Sequence, residues 1–256
     1  MNDRIKIFDT TLRDGEQASG FHMFADEKVK IARVLADMGV DVIEAGFAAS
    51  SLGDYEAIRR IVSQIGGDGS RTICSLSRAM KSDVETSARA IEKAKSGRIH
   101  TFIATSDCHI DGKFGKDRDW VIEKAVEAIS YAREFTDDVE FSCEDFARSD
   151  LDYTIDVACH AINAGATTIN LPDTVGFLMP HECYDGFKYV IEQVRSRGYD
   201  AVFSVHNHND LGLATATTLA AIMAGARQAE VTINGIGERA GNTSLEEIVA
   251  IINERC

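Results

Sequence analysis

The sequence predicts a (β/α)8 TIM barrel of the α/β class, and three observations lead to this prediction. Short apolar runs alternate with longer amphipathic runs eight times along the chain. Parallel strands need helical crossovers, and eight such units can close into a barrel. The length of 256 residues matches a typical barrel. Since no segment rich in Pro, Gly or Ser divides the chain, we expect a single barrel domain over residues 1–256.

The eight predicted strands are short, rich in β-branched or aromatic residues, and bounded by polar residues or glycine, as buried parallel strands are. In chain order they are Ile5–Asp9, Val42–Ala45, Thr72–Ser75, Ile99–Ala104, Val139–Ser142, Thr168–Leu171, Val202–His206 and Val231–Ile233.

A helix is predicted after each strand because apolar residues recur there with a period of 3.6. In the first helix this face is formed by Val29, Ala32, Val34, Leu35 and Met38, and Gly39 is the expected C-terminal stop. The other helices are predicted at Tyr55–Ile65, Lys81–Lys95, Trp120–Phe135, Leu151–Ala164, Pro180–Arg197, Ala214–Ala224 and Leu245–Ile252.

An open, doubly wound sheet obeys the same local rules. Such sheets usually carry a G-x-G-x-x-G turn after the first strand, whereas this chain has Asp9-Thr10-Thr11-Leu12-Arg13 there. The first loop therefore favours the barrel.

Composition excludes several functional classes. The formal charge of −14 argues against a broad nucleic-acid surface. No apolar run approaches the roughly 20 residues of a membrane span, and no signal-peptide pattern precedes the first strand. The six cysteines show no C-x-x-C pairing, so we expect reduced thiols and a cytoplasmic protein without a membrane partner.

Polar residues cluster where the predicted strands end, which in a barrel is the face that carries the chemistry. These clusters are Asp9–Gln17, Glu44–Phe47, Thr105–Asp107, Ser142–Asp145, Asn170–Gly176, His206–Asp210 and Asn234–Asn242. A single carboxylate in one loop could be a helix cap. The convergence of seven polar strand ends predicts an active site.

The most informative of these clusters is His206-Asn207-His208, which follows a buried strand. Side chains alternate along a strand, so His206 and His208 point the same way. Asp14, after the first strand, can supply a carboxylate. Two imidazoles and one carboxylate with open positions are typical of a catalytic divalent-metal site, and they accommodate Mg2+, Mn2+, Zn2+ or Fe2+.

Three combined motifs resemble the DRE-TIM metallolyase family. They are Phe8–Gln17, His206–Asp210 and Gly235–Asn242. Further stretches, Glu44–Phe47, Arg98–Ser106 and Phe141–Asp145, are most similar to its isopropylmalate–homocitrate synthase branch. The resemblance covers about Ile5 to Ile252.

The resemblance implies a Claisen-type condensation of acetyl-CoA with a 2-oxo acid, 3-methyl-2-oxobutanoate in the most similar branch, followed by thioester hydrolysis, as a step of leucine biosynthesis. It implies metal ligation by Asp14, His206 and His208, with Asn242 near the remaining position. It implies Arg13 beside the substrate carbonyl and Glu144 in the pocket lining. Because a carboxylate near metal and cofactor could also manage protons, Arg13 and Glu144 are the expected catalytic residues.

The remaining implied residues bind the oxo acid or line its pocket: Gln17, Glu44, Leu76, His100, Ser142, Asn170 and Thr174. Glu144 could instead form a salt bridge that orients Arg13 or a neighbouring histidine. The methyl proton is not assigned to a base.

The resemblance also implies a homodimer. Synthases of this branch continue into a linker and a leucine-sensing regulatory domain, and neither is expected within these 256 residues. Homocitrate and citramalate synthases share the metal motifs and remain alternatives, as does a barrel that binds metal and oxo acid without turnover. The lyase branch relies on a cysteine in the loop after strand eight, and Gly235–Asn242 has none.

Overall fold

Eight parallel strands form a closed barrel in the order of the sequence, which confirms the predicted fold. This is a computed structural model that describes residues 4–255. The strands are β1 (Lys6–Asp9), β2 (Val42–Glu44), β3 (Thr72–Arg78), β4 (Gly97–Ala104), β5 (Asp138–Glu144), β6 (Thr168–Asp173), β7 (Val202–Asn207) and β8 (Gln228–Val231). Pairing of β1 with β8 closes the barrel.

A long helix follows each strand and covers the outside of the barrel. The helices are α1 (Ala25–Met38), α2 (Leu52–Ile65), α3 (Lys81–Ile91), α4 (Arg118–Ala132), α5 (Leu151–Ala164), α6 (Pro180–Ser196), α7 (Ala214–Ala224) and α8 (Leu245–Arg255). Their ends differ from the predicted ones by a few residues at most. Two short helical turns, Asp107–His109 and Ile110–Phe114, follow β4. Within residues 4–255, none of the helices combines the length and apolar character that a bilayer crossing requires.

The predicted apolar face of α1 is partly wrong. Val29, Ala32 and Leu35 are buried, whereas Val34 is 53% and Met38 56% exposed. At about 100° per residue, Val34 and Met38 lie about 140° and 180° around the helix from Val29. They therefore face away from the sheet. The predicted stop is confirmed, since Gly39 follows with a φ of 92°.

The eighth strand was predicted too late in the chain. It runs from Gln228 to Val231, and Ile233 lies in a short helical turn instead. Gln228 and Glu230 alternate with apolar residues and are buried. A search for apolar runs misses a strand whose inward side chains are polar.

The inside of the barrel differs from the layer between strands and helices. The outer layer is one extended apolar core. Inside, Phe8, Val42 and Cys74 form a separate small cluster. Buried polar groups share this interior: Arg98 donates to Glu140 at 2.7 Å and to Gln228 at 2.8 Å. The polar side chains inside the barrel continue to the carboxyl ends of the strands.

Candidate active site

A cleft of about 240 Å³ opens at the carboxyl ends of the strands. Its lining includes most of the predicted site residues: Arg13, Asp14, Gln17, Leu76, His100, Ser142, Glu144, Asn170, Thr174, His206 and His208. Glu44 and Asn242 are buried beside it rather than in its lining. The residues singled out from the sequence therefore meet in one place.

The three predicted metal ligands converge from β7 and the loop after β1. The His206 Nε2 atom lies 3.2 Å from His208 Nε2 and 3.4 Å from Asp14 Oδ2. The distance between His208 Nε2 and Asp14 Oδ2 is 3.9 Å. A point equidistant from these atoms lies about 2 Å from each, which is the bond length of a divalent cation to nitrogen or oxygen ligands. The geometry fits one metal ion.

Unpaired polar atoms around this point also fit a cation. Asp14 Oδ1, His208 Nδ1 and both amide atoms of Asn242 are buried without a hydrogen-bond partner among the described residues. Buried polar groups normally have partners. The Asn242 backbone pairs with that of His208 in an isolated antiparallel bridge, which brings Asn242 beside the predicted ligands.

The charges at the site favour a cation as well. Burial by itself lowers the pKa of His206. Hydrogen bonds to Asp14 and Glu230 outweigh this effect and raise the pKa to about 10. Burial and the neighbouring His206 lower the pKa of His208 to about 4. Burial by itself raises the pKa of Asp14, but the charge of Arg13 holds the pKa of this carboxyl well below its usual range. The position between Asp14 and Glu230 therefore stabilises positive charge.

A chain of buried hydrogen bonds runs from Arg13 across the barrel. Arg13 donates to Asp14 at 2.8 Å and, through Nε, to Glu44 at 2.7 Å. The other oxygen of Glu44 lies 2.7 Å from His100 Nδ1, and His100 Nε2 lies 2.6 Å from Ser142 Oγ. Arg13 is thus fixed by two carboxylates, and the alternative in which Glu144 orients it is not what the structure shows.

Three predicted residues occupy the rim of the cleft. The Glu144 carboxylate lies 3.9 Å from Lys113 Nζ, and its side chain is 22% exposed. The Thr174 hydroxyl accepts a hydrogen bond from the Asp145 backbone at 3.0 Å. Gln17 is solvent-exposed where it borders the cleft.

Sequence reasoning missed Glu230, which contacts His206, one of the predicted metal ligands. Its carboxylate is 2.9 Å from His206 Nδ1 and is fully buried. The signal was the alternation of Gln228 and Glu230 within β8. The cleft is also lined by four residues that had no predicted role in the site: Phe47, Phe102, Pro172 and Glu238.

Comparison with known proteins gives a consistent assignment of family. The model of the HMGL-like family matches residues 4–256. A 2-isopropylmalate synthase of Campylobacter fetus is 55% identical over 99% of this chain and 49% of its own length. That of Thiobacillus denitrificans is 56% identical over 100% of this chain and 49% of its own. The chain thus spans about half the length of these curated relatives.

The comparison with solved structures supports the fold. The hydroxymethylglutaryl-CoA lyase of Pseudomonas aeruginosa superposes with a TM-score of 0.77 at 20% identity, over 98% of this chain and 85% of that one. At this identity the likeness concerns the barrel alone.

Proposed function

The chain belongs to the HMGL-like family, and we propose that it is the catalytic barrel of a 2-isopropylmalate synthase. The proposed reaction is the metal-dependent condensation of acetyl-CoA with 3-methyl-2-oxobutanoate, followed by thioester hydrolysis, as in leucine biosynthesis. The observation that carries the proposal is the convergence of Asp14, His206 and His208 in a chain that is 52–56% identical to curated synthases over nearly all of its length.

Asp14, His206 and His208 would hold the divalent cation, with Asn242 beside them. When bound, such a cation polarises the ketone of a 2-oxo acid and stabilises negative charge on its oxygen. Imidazole and carboxylate together suit several metals, and we propose Mg2+ or Mn2+, with Zn2+ as the other candidate.

Arg13 would stabilise negative charge on the substrate and cannot act as an acid. A guanidinium stays protonated at any pH relevant to a protein. Because Glu44 and Asp14 fix its Nε and Nη1 atoms, its remaining donors keep their orientation during the reaction. Such fixed donors stabilise an alkoxide without reorganisation. Thr174, at the opposite rim, would bind the carboxylate of the oxo acid.

We propose that Glu144 moves protons at the mouth of the cleft. Its partly exposed carboxylate can exchange protons with solvent, and Lys113 keeps a positive charge nearby. A base must come within hydrogen-bond reach of the acetyl methyl group. The rim position, where a CoA thioester would enter, supports this role. His100, Ser142 and Asn170 would line the pocket beneath the reacting carbon.

The apolar part of the cleft suits a small branched side chain. Leu76, Phe102 and Pro172 contribute apolar surface to the lining of the cleft. A pocket of this kind discriminates among oxo acids by packing, at about 1–3 kcal/mol per methylene. We further propose that the barrel is one catalytic domain, that it works as a homodimer, and that it resides in the cytoplasm.

The test is an assay of CoA release with acetyl-CoA, Mg2+ or Mn2+, and a panel of 2-oxo acids. We expect the fastest release with 3-methyl-2-oxobutanoate and none with Asp14→Asn, a variant close to wild type in shape. Fastest release with another oxo acid would indicate a homocitrate or citramalate synthase. Absence of release with every oxo acid, together with calorimetric binding of metal and oxo acid, would indicate a binding barrel without turnover.

A further inference from the structure

A second group of metal-ligating atoms lies outside the cleft, where β4 and β5 end. Cys108 and His109 belong to the helical turn after β4, and Asp145 directly follows β5. Cys108 is exposed, His109 is partly exposed and Asp145 is fully buried. The group therefore has one anchored carboxylate and two ligands that ions in solution can reach.

The spacing of these atoms is that of a metal site. The distances are 3.6 Å between Cys108 Sγ and His109 Nδ1, 3.7 Å between Cys108 Sγ and Asp145 Oδ2, and 3.1 Å between His109 Nδ1 and Asp145 Oδ2. A point equidistant from all three lies about 2.0 Å from each. Zinc takes bonds of about 2.0–2.3 Å to nitrogen, oxygen and sulfur, so an ion fits with little movement.

The same distances exclude a catalytic triad. In a Cys–His–Asp relay the thiol and the carboxylate contact opposite nitrogens of the imidazole. Here both Cys108 Sγ and Asp145 Oδ2 approach the same nitrogen, Nδ1 of His109. This arrangement cannot relay a proton from the thiol through the imidazole to the carboxylate, but one cation can replace the protons shared among the three groups.

The charge around the group permits a cation. Arg148 lies beside Asp145, with its Nε 2.9 Å from Oδ1 and its Nη2 2.8 Å from Oδ2. The Arg148 guanidinium can keep its hydrogen bond to Asp145 Oδ1 while Oδ2 binds an ion. The Ser106 hydroxyl, which contacts Sγ at 3.2 Å and Nδ1 at 2.9 Å, also donates to Asp145 Oδ2. A thiolate and a carboxylate together balance a divalent ion, and Arg148 adds a positive charge in contact with Asp145.

We propose that Cys108, His109 and Asp145 form a second metal site that binds a thiophilic divalent cation of the zinc class. Its thiolate ligand distinguishes it from the cleft, whose ligands are nitrogen and oxygen and suit harder ions. The site is connected to the cleft, because the Asp145 backbone donates to Thr174 and Glu144 is its chain neighbour. Occupancy would fix the loops after β4 and β5 beside the rim.

The test is a titration with Cd2+ followed by the ultraviolet sulfur-to-metal charge-transfer band. Every sample carries Cys256→Ser, so that this terminal thiol contributes nothing. We expect a saturable band that Cys108→Ser abolishes and His109→Asn weakens, and we expect Zn2+ to compete it away. Since Cys108 is exposed, its replacement by serine leaves the fold intact, which circular dichroism verifies.

Two variants locate the signal. Cys159→Ser, which alters a thiol in α5, should leave the band unchanged. Asp14→Asn should also leave it unchanged, because it removes only a ligand of the cleft. The proposal is overturned if the parent protein, which carries Cys256→Ser alone, shows no band, or if the band survives in Cys108→Ser or needs Asp14.

Discussion

His206 Nδ1 lies 2.9 Å from the Glu230 carboxylate, and both side chains are buried. This contact determines which nitrogen of the ring can bind a metal. Since Glu230 accepts the Nδ1 proton, the Nε2 atom faces Asp14 and His208. Carboxylates that hold metal-bound histidines in this way also raise the basicity of the ligand.

We expect Glu230→Gln to weaken metal binding about tenfold, the low end of the 10–100-fold range for such partners. Glutamine can still accept the Nδ1 proton, but it lacks the charge. Calorimetry with Mn2+ measures the effect. The control is Ser204→Ala, which removes a 3.3 Å contact to the other oxygen of Glu230 and a 2.9 Å hydrogen bond from Gln228 but leaves the contact with His206, and it should leave affinity unchanged. Equal affinity of wild type and Glu230→Gln would contradict the prediction.

Asp14→Asn and His208→Ala should each abolish both metal binding and turnover while the fold survives. The fold is expected to survive because the loops rest on a barrel that packs independently and because Arg13 keeps its contact with Glu44. Calorimetry and thermal unfolding separate the two effects. His160→Ala, on the exposed side of α5, is the matched control. Unchanged metal affinity in either ligand variant would refute the ligand assignment.

The buried pair of Glu44 and His100 should give stability a specific dependence on pH. Burial by itself raises the pKa of Glu44. Arg13 and His100 outweigh this effect and lower the pKa from 4.5 to about 2. A carboxyl with a lowered pKa contributes stability that is present above pH 4.5 and is lost as the pH falls towards 2. We expect Glu44 to lose about 1 kcal/mol of its contribution between pH 7 and pH 3.5.

Urea unfolding of wild type and Glu44→Gln at both pH values measures this loss. The difference in unfolding free energy between the two proteins should be larger at pH 7 than at pH 3.5. A difference that grows as the solution becomes acidic would show that Glu44 is not the ionised partner of Arg13.

The barrel could be predicted from the sequence because its outer strand faces are apolar and its helices have a clear period. The error at β8 has a physical cause. Gln228 and Glu230 point into a polar interior, so this strand lacks the apolar run that marked the other seven. The same error concealed Glu230 as a partner of His206.

Parts of the site could be predicted where the residue types themselves indicate a chemical role, such as metal binding by histidine and aspartate. His206, His208 and Asp14 are unusual at strand ends and were placed together correctly. The partner of Arg13 depended on distances that no spacing in the sequence provides. Glu44 is 31 positions away along the chain, yet it lies 2.7 Å from Arg13 Nε. The group of Cys108, His109 and Asp145 was not predicted, because Asp145 is 36 positions from His109 along the chain.

Changing the size of Leu76 should shift the preference among 2-oxo acids. The side chain is buried on β3 and borders the cleft. Leu76→Val should favour bulkier oxo acids, and Leu76→Phe should favour pyruvate over 3-methyl-2-oxobutanoate. Each methylene of difference is worth about 1–3 kcal/mol, which is read from ratios of kcat/KM. Ile73→Val alters the same strand on its outer face and should leave these ratios unchanged. Identical ratios in wild type and both Leu76 variants would mean that another part of the cleft measures the substrate.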